Sequence, residues 1–117
     1  MQPGTYDLVI YQGDTKEFKM VVKNGPDGGP FTVIDITGCT PAAQVRDSED
    51  AAAVSATFTC TVSNAAGGET TLVLTPAQTA AMTPGTKVWD FQLLFPSGKK
   101  FTYIKGKVTV LPEVTRV

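Results

Sequence analysis

The chain has 117 residues, 42% of them hydrophobic, a formal net charge of −1 and no histidine. That length suits one domain, residues 1–117, able to bury a core without metal or disulfide staples, and the near-neutral charge gives no field to gather nucleic acid or an anionic membrane. The missing histidine excludes a Cys/His metal site and a histidine-based triad, and no apolar run approaches the roughly 20 residues of a membrane-spanning helix.

The first residues, MQPGTYD, show neither a basic nor an apolar signal region, so the expectation is a protein made in the cytosol. YDLVIY, residues 6–11, is apolar in both phases and predicts a sandwiched or central strand. A turn, Q-G-D-T, follows, with Asp14 closing it through an Asx-type hydrogen bond. TKEFKMVVK, residues 15–23, predicts a strand with Phe18, Met20 and Val22 inward and Glu17, Lys19 and Lys23 outward. NGPDGGP, residues 24–30, is loop chemistry. FTVIDI, residues 31–36, is a short extended stretch ended by Thr37-Gly38.

CTPAAQVRD, residues 39–47, reads as a weaker strand, because Pro41 lacks a donor and belongs at an edge or a bulge. VSATFTCTVS, residues 54–63, alternates without error: Val54, Ala56, Phe58, Cys60 and Val62 share one face, and a serine/threonine ladder forms the other. After the turn NAAGGE comes TTLVL, residues 70–74. One short helix is expected near residues 76–82, with Thr75 as cap, Pro76 at its first position and Gln78 completing a capping box; Thr83-Pro84-Gly85 must stop it.

The last two strands form a hairpin. VWDFQLLF, residues 88–95, points Trp89, Phe91, Leu93 and Phe95 to one side, and F-P-S-G suits a type I turn. In FTYIKGKVTVLPEVTRV, residues 101–117, Phe101 and Tyr103 fall in one phase and Ile104, Val108 and Val110 in the other. A bulge at or just before Gly106 reconciles them. About seven or eight strands at this spacing make an all-β, antiparallel two-sheet sandwich.

Chemistry is sparse. Asp90, flanked by Trp89 and Phe91, invites desolvation and a shifted pKa, but the plainer reading sets it on the outer strand face beside Gln92. Asp47, Glu49 and Asp50 in RDSED lack the ligand number and the glycine of a calcium loop, so they read as a solvated acidic hairpin tip. Lys99, Lys100, Lys105 and Lys107 make the closing hairpin basic, and edge protection explains them better than nucleic acid does. Cys39 and Cys60 read as two buried free thiols, with a cystine as the other option. The hydroxyl ladder of residues 55–63 suits either a half-exposed strand or a polar subunit interface. The expectation is a non-enzymatic protein with no cofactor, metal or small-molecule substrate. A rival class, a carbohydrate- or surface-binding sandwich, would display exposed aromatics among Tyr6, Tyr11, Tyr103 and Trp89, and Trp89 is expected to be buried.

The order of punctuation carries a resemblance. L-V-I-Y-Q-G-D-T is followed by D-G-G-P-F…D-I-T-G-C-T, A-A-Q-V-R, L-V-L-T-P-A-Q-T and T-P-G-T-K-V-W-D-F-Q, then S-G-K-K-F-T-Y-I-K-G-K-V-T-V and P-E-V-T-R. This resembles small tailed-bacteriophage virion proteins and the N-terminal domain of phage baseplate upper proteins, across residues 6–116. The resemblance implies an immunoglobulin-like β-sandwich. In it Gln12, Gly13 and Asp14 form the first inter-strand turn, Gly38 the second and Gly98 the last hairpin, Gly106 lies in the closing strand, and Thr115-Arg116 end the domain. It implies no catalytic residue.

The resulting expectation is a virion structural protein, made in the host bacterial cytoplasm and docked in many copies onto the tail or baseplate. Capsid decoration or another head-associated role is the alternative. Because baseplate upper proteins continue past this domain while the chain closes at Val117, a free-standing module is expected. Its partners are other virion proteins and copies of itself, with no nucleic acid and no membrane. The acidic tip (Asp47, Glu49, Asp50) and basic hairpin (Lys99, Lys100, Lys105, Lys107) are expected at two separate places, guiding head-to-tail contacts. Thr115 and Arg116, at the chain's free end, are expected to add to a neighbour's sheet edge.

Overall fold

The computed structural model describes residues 4–24 and 32–114. In chain order its elements are β1 (Gly4–Thr5), β2 (Leu8–Tyr11), β3 (Lys16–Val21), β4 (Lys23–Asn24), β5 (Thr32–Val33), β6 (Thr40–Arg46), β7 (Ala56–Thr57), β8 (Thr59–Asn64), β9 (Glu69–Leu74), α1 (Pro76–Ala80), β10 (Gly85–Leu94) and β11 (Lys100–Leu111). Most of the loop expected at 24–30, and Thr115 and Arg116 at the end, lie outside the described residues.

The strands form an all-β sandwich. In the larger sheet β1 and β2 lie end to end along one side of β11, followed by β10, β6 and β7; in the smaller sheet the order is β3-β9-β8. With the first strands attached to the larger sheet, this is the immunoglobulin order, β3, β9 and β8 standing for strands B, E and D and β6, β10 and β11 for C, F and G. The sandwich is not wholly antiparallel: β1 and β2 run parallel to β11. Nor is the segment 6–11 central. It is an edge, and its second apolar phase, Val9 and Tyr11, faces solvent at 49% and 52% exposure.

The unbroken alternation of residues 54–63 proves to be two strands. Ala56 and Thr57 pair with Val45 and Gln44 in the larger sheet. Phe58 donates its N–H to the Ala43 carbonyl at 3.0 Å, and from Thr59 the chain pairs with β9 in the smaller sheet. Alternation survives the switch because both inner faces point at one core; only Val54, expected inward, is exposed. Pro41 sits opposite Leu93 near the start of β6, beyond the short β7 ladder, where no donor is required on the open side.

The core joins Leu8, Ile10, Ala43, Val45, Phe91, Leu93, Val108 and Val110 of the larger sheet to Met20, Leu72 and Leu74 of the smaller. Trp89, 3% exposed, packs with Phe18 and Phe58, all three ring pairs lying 5.7–5.8 Å apart between centroids. Its indole N–H donates to the Tyr6 carbonyl at 2.7 Å, in the gap between β1 and β2. Gly106 stands opposite Trp89, and a Cβ there would meet the Tyr6 carbonyl oxygen at 2.1 Å. Only glycine lets the first strand come this close.

The phase conflict in β11 is settled just before Gly106. Phe91 pairs with Ile104 and Gln92 with Thr102, leaving Tyr103 as the extra residue of a bulge. At the hairpin tip Gly98 N–H donates to the Phe95 carbonyl and Phe95 N–H to the Lys99 carbonyl. With Gly98 at φ +90°, this is a type I turn closed by a glycine bulge.

The helix is capped as expected. Gln78 N–H donates to Thr75 Oγ1 at 3.2 Å and Thr75 N–H to Gln78 Oε1 at 2.8 Å. It ends at Ala80 rather than near Met82, with Ala81 as its C-cap. Thr79, fully buried, fastens it to the first turn: its hydroxyl accepts from Gly13 N–H and donates to the Asp14 carbonyl. Gln12 adds a 2.6 Å bond to the Met82 carbonyl. The turn itself is closed through backbone, Asp14 N–H to the Tyr11 carbonyl at 3.1 Å, in place of the expected Asx-type bond. Gly38 occupies the second turn, where Cys39 N–H reaches the Ile36 carbonyl.

Candidate functional site

The polar phases of β6, β10 and β11 that fill no core position meet on the outer face of the larger sheet. Register places Lys105 opposite Asp90 on one side and Gln44 opposite it on the other. One step away in each direction along β10 stand Gln92 and Val88, the latter flanked by Lys107 and Arg46. The first strands, with Thr5 and Asp7, wall one side, and Glu49 from the 47–50 loop walls the other, enclosing a trough of about 690 Å³.

Several of these groups are positioned by bonds of their own. Arg46 donates to the carbonyls of Ala51 and Ala52 at 2.9 and 3.0 Å and to Gln44 Oε1 at 2.9 Å, so it shapes the loop and orients the Gln44 amide. Asp7 Oδ1 accepts the Lys107 N–H at 2.9 Å. Asp90 lies at the centre of the floor, beside Gln92 as expected, but also half-buried. Desolvation pushes its carboxyl above the ordinary aspartate range, and the hydrogen bond from Gln92 and the positive charges of Arg46 and Lys100 only partly oppose this.

The other charged candidates disperse. Asp47 belongs to a different cluster: it accepts the Lys87 ammonium at 2.5 Å and the Ser55 hydroxyl at 3.1 Å, and these hold its carboxyl below the usual range. Lys87 occupies the inward phase of β10 and is 5% exposed, its ammonium also reaching Thr83 Oγ1 at 3.0 Å. That inward phase was the signal in the sequence for a buried lysine. Asp50, Lys99 and Lys100 are exposed. Of the acidic tip and the basic hairpin, Glu49, Lys105 and Lys107 line the one trough, while Asp47, Asp50, Lys99 and Lys100 do not.

Cys39 and Cys60 are free thiols, each half-buried. Burial pushes the Cys60 thiol up to about 11, so it is an inert packing group at neutral pH. Among the described residues no three acidic or cysteine side chains gather as metal ligands.

No family model matches the chain, and no curated protein matches it in sequence. Among solved structures it is similar to a family 123 glycoside hydrolase from Clostridium perfringens, studied for glycolipid glycan hydrolysis, at 15% identity and a TM-score of 0.46 over 97% of this chain. It is also similar to an internalin-like protein of Listeria monocytogenes, at 17% identity and a TM-score of 0.43 over 93% of this chain. The chain spans about a quarter of those two solved chains, 24% and 28% respectively.

Proposed function

We propose that this chain is a non-enzymatic structural protein of a tailed-bacteriophage virion, docked in many copies onto the tail or baseplate through protein–protein interfaces. The observation that carries the reading is the order of the turn and strand signatures from Q-G-D-T to G-K-V-T-V, matching that of the phage proteins the sequence resembles. Those signature residues serve architecture: Gln12 and Gly13 tie the first turn to α1, and Gly106 admits the first strand. A signature made of such residues suits a family selected for shape and assembly.

A docking surface is available at the end of the closing hairpin. Phe95, Phe101 and Tyr103 pack edge to face, with centroids 5.9 and 6.3 Å apart, and Phe101 remains 42% exposed beside Lys99 and Lys100. An aromatic centre with a charged rim is the anatomy of a protein interface.

The test is location. Immunogold labelling of intact particles is expected to mark the tail or its baseplate. Label on the head shell would move the protein to capsid decoration. Its absence from purified virions, while infected cells contain it, would refute a structural role.

A further inference from the structure

Six charged side chains surround the trough on the larger sheet: the carboxylates of Asp7, Glu49 and Asp90 and the cations of Arg46, Lys105 and Lys107. The ion pairs within 4.0 Å among the described residues are Lys19–Glu69 and Lys87–Asp47, so none of the six is paired with another. Arg46 is committed to two loop carbonyls and to Gln44 Oε1, which leaves the Gln44 amide nitrogen as a donor. The lining therefore presents donors and acceptors side by side, its six charges summing to zero around a half-buried carboxylate, with the Lys100 charge acting on that carboxylate from outside the lining.

This composition selects among ligands. A cation entering meets three cations and an anion three carboxylates, so neither finds a net attraction. An apolar molecule, or a protein surface, would strip water from six charges. A protein would also find no anchor there: Val88 and Ala42 supply the apolar lining from the outward phase, and Trp89 is turned into the core. A hydroxyl both donates and accepts, and a neutral, hydroxyl-rich molecule can use both signs at once.

We infer that the trough is a binding site for a neutral oligosaccharide, with Asp90 accepting from a sugar hydroxyl while the Gln44 amide and the Lys105 ammonium donate. Its volume of about 690 Å³ lies within the range of about 300–1,000 Å³ typical of small-ligand sites. Among the described residues no aromatic side chain of the outward phase offers a stacking platform, so affinity rests on hydrogen bonds exchanged with water. The dissociation constant is then on the order of 1 mM, and discrimination among sugars is low.

Amide NMR of the ¹⁵N-labelled protein tests this, with maltotriose, cellotriose and triacetylchitotriose each added to about 20 mM, well above that dissociation constant. At least one is expected to shift residues 42–46, 88–92 and 105–107, with saturation. Asp90→Ala is expected to weaken that binding about fivefold or more. Gln44→Ala serves as the second variant, and Lys19→Ala, on the other sheet, should change nothing. The same spectra report whether each variant is folded. No trough shifts with any of the three sugars, or shifts that survive both trough variants, would overturn the inference. Equal or larger trough shifts with trilysine or triglutamate would overturn it in favour of a charged ligand. The titration reads the protein alone, so its failure leaves the virion reading untouched.

Discussion

Gly106→Ala would put a methyl group 2.1 Å from the Tyr6 carbonyl oxygen and 2.7 Å from its carbon. Ordinary contact starts near 3.4 Å, so the first strand must retreat by about 1 Å. That retreat disturbs three bonds: Trp89 Nε1 to the Tyr6 carbonyl, Tyr6 N–H to the Lys105 carbonyl, and Lys107 N–H to Asp7 Oδ1. The indole N–H is buried and would be stranded, at about 1–3 kcal/mol, while each of the other two is worth about 0.5–1.5 kcal/mol. Replacing glycine within a strand returns about 0.5–1 kcal/mol. The net destabilisation is about 1–5 kcal/mol, centred on about 3 kcal/mol, a fall of about 1.5 M in the urea midpoint at a slope of about 2 kcal/mol per M. Trp89, the single tryptophan, reports both the unfolding and the native change, because its emission responds to the lost hydrogen bond. Gly98→Ala is the control, since φ is +90° there but no described residue stands within 4 Å of the added carbon, and about 1 kcal/mol of backbone strain is its whole cost. If Gly106→Ala unfolds within about 0.5 kcal/mol of the parent, or is no worse than Gly98→Ala, the close approach does not hold this edge in place.

Two buried threonines should respond in opposite directions to loss of the hydroxyl. Thr79→Val leaves Gly13 N–H and the Asp14 carbonyl unpaired and should cost about 2–3 kcal/mol by urea melt. Thr70 Oγ1 is buried without a partner among the described residues, so Thr70→Val should stabilise by about 1 kcal/mol. Lys87→Met should be neutral or stabilising by up to about 1 kcal/mol, because its partner Asp47 stays solvated at 71% side-chain exposure. Asp47→Ala strands the buried ammonium and should be the more harmful of the pair; the reverse order in thermal melts would contradict the burial argument. Asp90 and Asp47 should titrate on opposite sides of the ordinary aspartate value of 3.8. Asp47 contributes stability that is present above 3.8 and lost as pH falls through its lowered folded value, whereas Asp90, raised on folding, opposes stability as pH climbs from 3.8 through its folded value. Carboxyl-detected NMR titration checks both directions, and Asp90→Asn should flatten the decline above pH 3.8.

What was legible in the sequence was whatever depends on neighbours along the chain. The Thr75–Gln78 capping box, the F-P-S-G turn and the inward phase of β10 are local rules, and the structure follows them. The bulge was legible as a conflict of phase between Tyr103 and Ile104, and its position needed only the register of β10. Alternation names a face but not a partner, so residues 54–63 read as one strand although Phe58 carries the chain from one sheet to the other. Residues 6–11 misled for a related reason: two apolar phases are the mark of a strand covered on both sides, yet Val9 and Tyr11 lie exposed on an edge. The trough was invisible because its lining comes from distant segments. Each of Gln44, Asp90 and Lys105 is, on its own strand, an unremarkable polar residue of the outward phase.

The parallel pairing of β2 with β11 also decides how the domain bears load. Leu8 to Tyr11 lie beside Val108 to Leu111 in the same direction, so tension between the start of β2 and the end of β11 drags the two strands past one another along their length. All the rungs between them are then strained together, unlike an antiparallel hairpin pulled from its open end, where the rungs break in succession. The Trp89 and Asp7 bonds across the break between β1 and β2 add resistance along the same line. A domain joined to neighbours through these two strands yields in shear, as a latch does, and its tolerance of force is set at this seam before the rest of the core is tested.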